Sequence, residues 1–244
     1  MKRILICLIL PLQLMAQLSM KDFKNYAFPT ELKAAAQGNR LAWALEENGI
    51  RNVYVAASPD FTIRKLTSFS RNDGQEITGL QFSPDGEWIV FVRGGDHGAN
   101  YDGLLPINAS LDIQPSKVSV MSVPFSGGTT KLLSEGDGAA ISPDSKKVAF
   151  IKAGQVYWAP INGSASAQSL FTTRGSVNSL EWAQENTEEK LLYVANRGDH
   201  SLIGVFNYTK QTIQWIAPSY TRDISPRWSP DGKNIVFIRR PGVG

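Results

Sequence analysis

The stretch Trp228-Ser229-Pro230-Asp231-Gly232, followed by the apolar run Ile235-Val236-Phe237-Ile238, decides the fold. Proline presets φ at the first turn position, aspartate can bond its own backbone, and glycine accepts a positive φ. An aromatic residue before such a turn and an apolar run after it are typical of two antiparallel strands. The stretch therefore predicts a β-hairpin.

The same unit recurs along the chain. Phe82-Ser83-Pro84-Asp85-Gly86 and Ile141-Ser142-Pro143-Asp144-Ser145 each precede an apolar run. A worn copy begins at Trp182-Ala183-Gln184-Glu185, and an earlier copy keeps only the turn Gln37-Gly38-Asn39 and the strand after it. Internal repetition of this kind indicates stacked structural units. We expect the turn residues to be structural, namely Pro84, Asp85, Gly86, Pro143, Asp144, Pro230, Asp231 and Gly232.

Two further apolar runs follow each hairpin. In the second unit they are Val118-Ser119-Val120-Met121 and Thr130-Lys131-Leu132-Leu133, separated by the turn residues Gly127-Gly128. Four short antiparallel strands per unit, repeated every ~40–60 residues, are typical of β-propeller blades. Amphipathic helices between strands, which an α/β fold needs, are not evident in the pattern. The sequence predicts an all-β propeller.

The repeats divide the chain into blades. We predict four complete blades at residues 29–71, 72–136, 137–174 and 175–221, and a partial fifth at residues 222–239. The partial propeller domain spans residues 17–244 in this interpretation. A half-blade would leave unpaired strand edges on a closed four-bladed ring. We therefore expect an open arc of a larger propeller.

Residues 1–16 have the features of a secretory signal peptide. Lys2 and Arg3 precede the apolar residues 4–12, and Ala16 provides a small residue for cleavage. Cys7 is the only cysteine and would leave with this segment. The mature protein would then have no disulfide and no thiolate metal site. We expect a periplasmic or secreted protein that does not contact the membrane after cleavage.

Charge and motifs narrow the functional classes. The formal charge of +3 becomes about +1 (3 − 2) when Lys2 and Arg3 are removed, and the remaining basic residues are scattered. We therefore expect no nucleic-acid partner. The sequence has no G-x-S-x-G nucleophile elbow. We predict no catalytic residue, no cofactor and no metal site.

The two histidines, His97 and His200, each follow an aspartate. Two histidines and two aspartates could bind a metal, but the two blades are not adjacent and Gly-Asp is ordinary hairpin chemistry. Glu46-Glu47 resembles an acidic pair that would bind a substrate amine, but Asn48-Gly49 follows at once. We interpret both features as turns.

Residues 94–116 form the one long insertion within a blade. Long loops in compact domains are often functional, and many are tolerated surface insertions. One alternative is a loop that contacts substrate or another domain. The other is a surface insertion without a function.

The turn units resemble the WD40-like repeat called PD40, which is found in the Tol-system periplasmic propeller and in peptidases of the prolyl oligopeptidase family. Two stretches, Phe28-Pro29-Thr30-Glu31-Leu32 and Asn196-Arg197-Gly198-Asp199-His200, are similar to the propeller of secreted bacterial peptidases of that family. The resemblance implies a propeller of about seven or eight blades that caps a C-terminal α/β-hydrolase domain. A Ser-Asp-His triad in the hydrolase does the chemistry. No triad residue can be placed on this sequence.

The resemblance implies a non-catalytic propeller segment of an exported serine peptidase, such as a dipeptidyl or acylaminoacyl peptidase. It would gate and dock peptide substrates for the α/β-hydrolase domain and would be inactive alone. The alternative is a periplasmic TolB-like propeller that binds protein partners and catalyses nothing. Tol-type propellers carry a separate α/β domain ahead of the ring, whereas here the first blade begins soon after the expected cleavage site, which favours the peptidase.

Overall fold

The computed structural model describes residues 26–94, 113–114, 116–183 and 189–242. The expected signal peptide, His97 and most of the insertion at 94–116 lie outside the described residues. Within these ranges the chain forms strands and turns and no helix. In the same ranges no helix has the length and apolar character needed to cross a membrane.

The strands form four antiparallel sheets of four strands, followed by a two-stranded half-blade. Blade 1 contains β1 (Phe28–Ala34), β2 (Arg40–Glu47), β3 (Ile50–Ala57) and β4 (Arg64–Lys65), and blade 2 contains β5 (Ile77–Phe82), β6 (Trp88–Arg93), β7 (Ser119–Pro124) and β8 (Lys131–Glu135). Blade 3 contains β9 (Asp137–Ile141), β10 (Lys147–Lys152), β11 (Gln155–Pro160) and β12 (Gln168–Phe171). Blade 4 contains β13 (Ser176–Trp182), β14 (Lys190–Asn196), β15 (Ser201–Asn207) and β16 (Thr212–Ile216), and the half-blade contains β17 (Arg222–Trp228) and β18 (Ile235–Arg240).

This arrangement confirms the predicted fold class. Each complete sheet has its strands in chain order and paired antiparallel, as in a propeller blade. The half-blade joins the sheet of blade 4 through one parallel pair, Ser201 with Arg222. The sheets follow one another as an open arc of four blades and a half.

Blade 1 is a complete blade, as predicted for residues 29–71, although its repeat shows only the turn at Gln37-Gly38-Asn39 and the strand after it. The expected turn and second strand are present, and β1 pairs with β2 ahead of them. A β-bulge between Thr30 and Lys33 breaks the alternation of β1, and Glu31 takes a φ of 56° there. Most of β1 is also exposed, so its sequence carries little apolar signal.

The core lies between the blades. On β6, Ile89 and Phe91 pack against blade 1, whereas Val90 and Val92 pack against blade 3. All four side chains are buried. Alternate residues of one strand thus pack into two neighbouring interfaces. Because both faces of the second strand are buried, its sequence is a continuous apolar run.

The first strands β1, β5, β9, β13 and β17 contact one another from blade to blade and line the axis of the arc. Each of these strands carries a bulge or register shift. Residues at positive φ occupy the bulges of β1, β5, β9 and β17, namely Glu31, Gly79, Gly138 and Ser225. A bulge turns backbone groups away from the ladder. The axial strands therefore present main-chain polar groups as well as side chains.

Candidate binding surfaces

The three Ser-Pro-Asp turns have the same pattern of hydrogen bonds. In blade 2, the Asp85 carboxylate accepts bonds from the Ser83 hydroxyl and from the Glu87 backbone N–H, the latter at 3.0 Å. The Ser83 hydroxyl in turn accepts a bond from the Trp88 backbone N–H at 2.9 Å. The same bonds recur in the turns that begin at Ser142 and Ser229. These bonds close the hairpins at one end of the arc.

Ser145 replaces the glycine of the turn in blade 3. It takes a φ of 59°, close to the values of 73° at Gly86 and 64° at Gly232. A side chain is disfavoured in this conformation. The Ser145 hydroxyl accepts a bond of 3.1 Å from the Asp85 backbone N–H in the neighbouring blade. The inter-blade bond compensates for the unfavourable backbone.

Ion pairs link the turns of neighbouring blades. The Arg40 guanidinium contacts the Glu87 carboxylate at 2.7 Å, and the Lys147 ammonium contacts the Glu189 carboxylate at 2.9 Å. The two cations are equivalent in the repeat, because each follows the turn and begins the second strand. Sequence reasoning missed these pairs, although an alignment of the turns places both cations in one column and both glutamates in another.

Lys147 is the more buried of the two cations, and it also contacts Asp144 at 2.7 Å. Burial lowers the pKa of Lys147, but the hydrogen bonds to Asp144 and Glu189 outweigh it and raise that pKa above its usual value. Burial also opposes the charged form of Asp144, but the hydrogen bond from the Lys147 ammonium helps to hold the pKa of Asp144 below its usual value. Both groups are therefore charged at neutral pH.

Tryptophan indoles connect successive first strands. The Trp182 indole N–H donates to the Ala140 carbonyl of blade 3 at 3.2 Å, and the Trp228 indole N–H donates to the Glu181 carbonyl of blade 4 at the same distance. The two tryptophans hold equivalent positions before their turns. Phe82 and Ile141, which hold this position in blades 2 and 3, have no such donor.

The axial surface carries charged and polar side chains. The Glu31 carboxylate accepts a bond of 3.1 Å from the Leu80 N–H in the bulge of β5, and the Gln81 amide donates to the Ala139 carbonyl at 2.7 Å. Glu181 contacts Arg227 of the half-blade at 3.4 Å. A groove of about 560 Å³ runs along β1, β5 and the end of β9. The surface can present both carboxylates and cations to a chain that lies along the axis.

Two aspartate–arginine pairs lie at the other ends of the strands, away from the Ser-Pro-Asp turns. The Arg93 guanidinium contacts Asp73 at 2.7 Å. Arg239 holds the equivalent position in the half-blade and binds both oxygens of Asp223, at 2.8 and 2.9 Å. Asp223 is fully buried. The hydrogen bond from Arg239 and another from Thr221 hold the pKa of Asp223 below its usual range, although burial opposes them.

The acidic pair Glu46-Glu47, a candidate site in the sequence, lies at a hairpin of blade 1. Glu46 and Glu47 end β2 at a two-residue hairpin, in which Asn48 and Gly49 both have positive φ. Glu46 contacts Arg51 at 2.7 Å, and Glu47 accepts a hydrogen bond from the Tyr54 hydroxyl. The Glu46-Glu47 pair thus lies at the end of a strand, directly before a tight turn.

His200 contacts its neighbour Asp199 at 2.7 Å on the turn between β14 and β15. His97, the second histidine of the candidate metal site, lies outside the described residues. The described ranges contain no group of three or more His, Cys, Asp or Glu placed to hold a metal ion.

The half-blade has one exposed apolar face. Val236 is 68% exposed and Ile238 is 50% exposed. The equivalent residues of blade 2, Val90 and Val92, are 0% and 2% exposed because blade 3 covers them. The repeat thus builds the same apolar face on β18 that it buries elsewhere in the arc.

Comparison with solved structures finds proteins of similar fold. No family profile matches the chain, and no curated protein matches its sequence. A TolB protein from Agrobacterium tumefaciens matches 88% of this chain with 70% of its own chain, at a TM-score of 0.53 and 18% identity. A prolyl endopeptidase matches 81% of this chain with 31% of its own, at a TM-score of 0.56 and 9% identity. The Dos1 propeller matches 89% of this chain with 59% of its own, at a TM-score of 0.59 and 14% identity.

These similarities fall below the identity at which an activity can be transferred. They support the fold alone. This chain spans less than two thirds of the prolyl endopeptidase and of the Dos1 propeller chain. The protein has the fold of a β-propeller, in the form of an open arc.

Proposed function

We propose that the chain is a non-catalytic propeller segment of an exported serine peptidase of the prolyl oligopeptidase family. In this role the propeller admits and orients peptide substrates for an α/β-hydrolase domain. Support comes from the Ser-Pro-Asp repeats and from the similarity in fold to a prolyl endopeptidase. The features of a signal peptide in residues 1–16 support export.

The axial surface is the observation that carries the proposal. Peptides offer backbone amides, carbonyls and charged termini. The groove along β1 and β5 is lined in part by polar groups, among them Lys33 and the Gln81 side chain, whose amide donates to the Ala139 carbonyl. Glu181 and Arg227 add both signs of charge further along the axis. An axial opening lined in this way would favour extended peptides over folded proteins.

The test uses cells of the source organism and an antiserum raised against the purified chain. Intact cells are treated with a biotinylated fluorophosphonate, which labels active serine hydrolases, and the antigen is immunoprecipitated from the envelope fraction. We expect a labelled antigen larger than 26.8 kDa. Its N-terminal sequence should begin at Gln17. An unlabelled antigen would rule out the peptidase assignment.

A TolB-like interaction propeller is the second candidate. The similarity to TolB covers more of both chains than the similarity to the prolyl endopeptidase. In this case the immunoprecipitated antigen would carry no fluorophosphonate label. It would be cross-linked in intact cells to a defined envelope protein, and that complex would persist in fluorophosphonate-treated cells.

A further inference from the structure

The sequence contains two Asn-Gly dipeptides, and each lies between two strands of one blade. Asn48-Gly49 joins β2 to β3, and Asn162-Gly163 lies between β11 and β12. Glycine has no side chain, so its main-chain nitrogen is accessible to the side-chain amide carbon of the asparagine before it. Attack of that nitrogen on the amide carbon is the first step of asparagine deamidation. The two dipeptides have the same chemistry, so a difference between them comes from their surroundings.

The strand ladder holds the first dipeptide in place. Glu47 and Ile50, which flank it, are paired across β2 and β3. Asn48 and Gly49 take φ values of 56° and 81°, which close the hairpin in two residues. Attack on the Asn48 side chain needs rotation of the peptide plane between these two residues, and that rotation would break the ladder. The fold therefore protects Asn48.

The second dipeptide lies outside its ladder. The last paired residues of β11 and β12 before the turn are Trp158 and Gln168. Asn162 and Gly163 are both exposed. The Gly163 N–H donates to the Pro160 carbonyl at 2.9 Å, and this turn bond can open locally without the loss of a strand pair. The peptide plane of Gly163 can thus turn toward the Asn162 side chain.

A main-chain donor is in place to activate the Asn162 amide. The Ser164 N–H donates to the side-chain oxygen of Asn162 at 3.0 Å. When the Gly163 nitrogen attacks the amide carbon, this oxygen gains negative charge. A donor that is already bonded to the oxygen stabilises that charge.

We propose that Asn162 is a site of spontaneous deamidation in the folded protein, activated by the Ser164 N–H. The Gly163 nitrogen loses its proton and forms a bond to the side-chain carbon of Asn162, and the amide nitrogen leaves with that proton as ammonia. Water then opens the cyclic imide and gives aspartate or isoaspartate at residue 162. The reaction needs water alone and is independent of the proposed function.

The modified turn lies at the contact between blades 2 and 3. A Cβ placed on Gly163 would lie 3.3 Å from the Lys131 Cβ and 3.7 Å from the Leu133 Cδ2, so this turn packs directly on β8. Isoaspartate adds a methylene to the main chain and displaces Gly163 from β8. Aspartate keeps the acceptor for the Ser164 N–H. We therefore expect the isoaspartate form to unfold at a lower temperature than the aspartate form.

The test follows both asparagines in one sample. The full chain is incubated at mildly alkaline pH, and peptide mapping by mass spectrometry measures the conversion of Asn162 and of Asn48. We expect Asn162 to be converted about tenfold faster or more. In urea, where both turns are unfolded, the two rates should approach each other because the dipeptides are identical. An isoaspartyl methyltransferase labels the isoaspartate product.

Matched variants assign the site and its activation. Asn162→Gln should remove most of the isoaspartate, whereas Asn48→Gln, the control, should keep it. Both asparagines are exposed turn residues, so both variants are expected to fold, which thermal unfolding checks. Ser164→Pro removes the donor N–H and should slow the conversion of Asn162. Ser166→Pro, in the same connection between β11 and β12, should leave it unchanged.

Four outcomes would overturn the proposal. The first is equal conversion of the two asparagines in the folded chain. The second is a difference that persists in urea, since it would then arise from the local sequence and not from the fold. The others are isoaspartate that remains in Asn162→Gln and an unchanged rate in Ser164→Pro.

Discussion

The phenol ring of Tyr193 lies across Gly204, its antiparallel partner on the neighbouring strand β15. A Cβ placed on residue 204 would overlap the ring, at 2.6 Å from Cε1. Gly204 needs no left-handed backbone, so the requirement is for space alone. The space lets Tyr193 lie fully buried in the core between blades 3 and 4, 4.9 Å from the ring of Phe171.

The first prediction concerns this contact. Gly204→Ala should lower the free energy of unfolding by roughly 2 kcal/mol, because the added methyl overpacks the core. In a background of Tyr193→Leu the same alanine should cost much less, since the ring is gone. Urea unfolding of the four proteins of this cycle measures the coupling. Additive effects would show that the ring and the glycine are not in the described contact.

The second prediction concerns the turns. Asp85→Ala removes an acceptor of two hydrogen bonds and should destabilise the protein by about 1 kcal/mol. Asp144→Ala should cost more, because it also leaves Lys147 with one carboxylate partner instead of two. Asp60→Ala, in an exposed turn of blade 1, is the control and should lie within about 0.5 kcal/mol of wild type. Equal urea midpoints for the three variants would contradict the assigned network.

The third prediction concerns the tryptophan between blades 3 and 4. Trp182→Phe keeps an aromatic ring but loses the bond to the Ala140 carbonyl, which should cost about 1.5 kcal/mol. Trp158→Phe, at a half-buried position of blade 3, is the comparison and should cost less. Thermal unfolding by circular dichroism measures both. A Trp158 variant as unstable as the Trp182 variant would argue against an inter-blade role for the indole N–H.

Features that depend on adjacent residues could be predicted from the sequence. The Ser-Pro-Asp-Gly turn fixes its own geometry, so the hairpins and the boundaries of the blades follow from it. β1 could not be found, because its bulge at Glu31 removes the alternation that marks a strand. The role of Gly204 could not be predicted either, because it depends on Tyr193, the residue opposite it in the sheet. The ion pairs of Glu87 and Glu189 could not be predicted either, because their partners Arg40 and Lys147 lie in the preceding blade, far away in the sequence.

Asp223 and Arg239 give the last prediction, which concerns pH. The pKa of Asp223 is lowered in the folded protein, chiefly by the hydrogen bond from Arg239. A carboxyl group with a lowered pKa stabilises the fold above its unfolded pKa, about 3.9 for aspartate. That contribution is lost as the pH falls through the folded pKa, because the unfolded state then binds the proton more readily.

Asp223→Asn should therefore cost about 2 kcal/mol at neutral pH, where the wild-type carboxylate accepts charged hydrogen bonds. The difference between variant and wild type should shrink as the pH drops below about 4, because the wild type loses the same contribution. Urea unfolding at several pH values measures it, with Asp60→Asn as the control for a general acid effect. Asp223 is buried, and the Arg239 side chain remains partly exposed, so the variant keeps a solvated cation instead of a buried one. A difference that stays constant from neutral to acid pH would show that packing at residue 223, and not its charge, stabilises the half-blade.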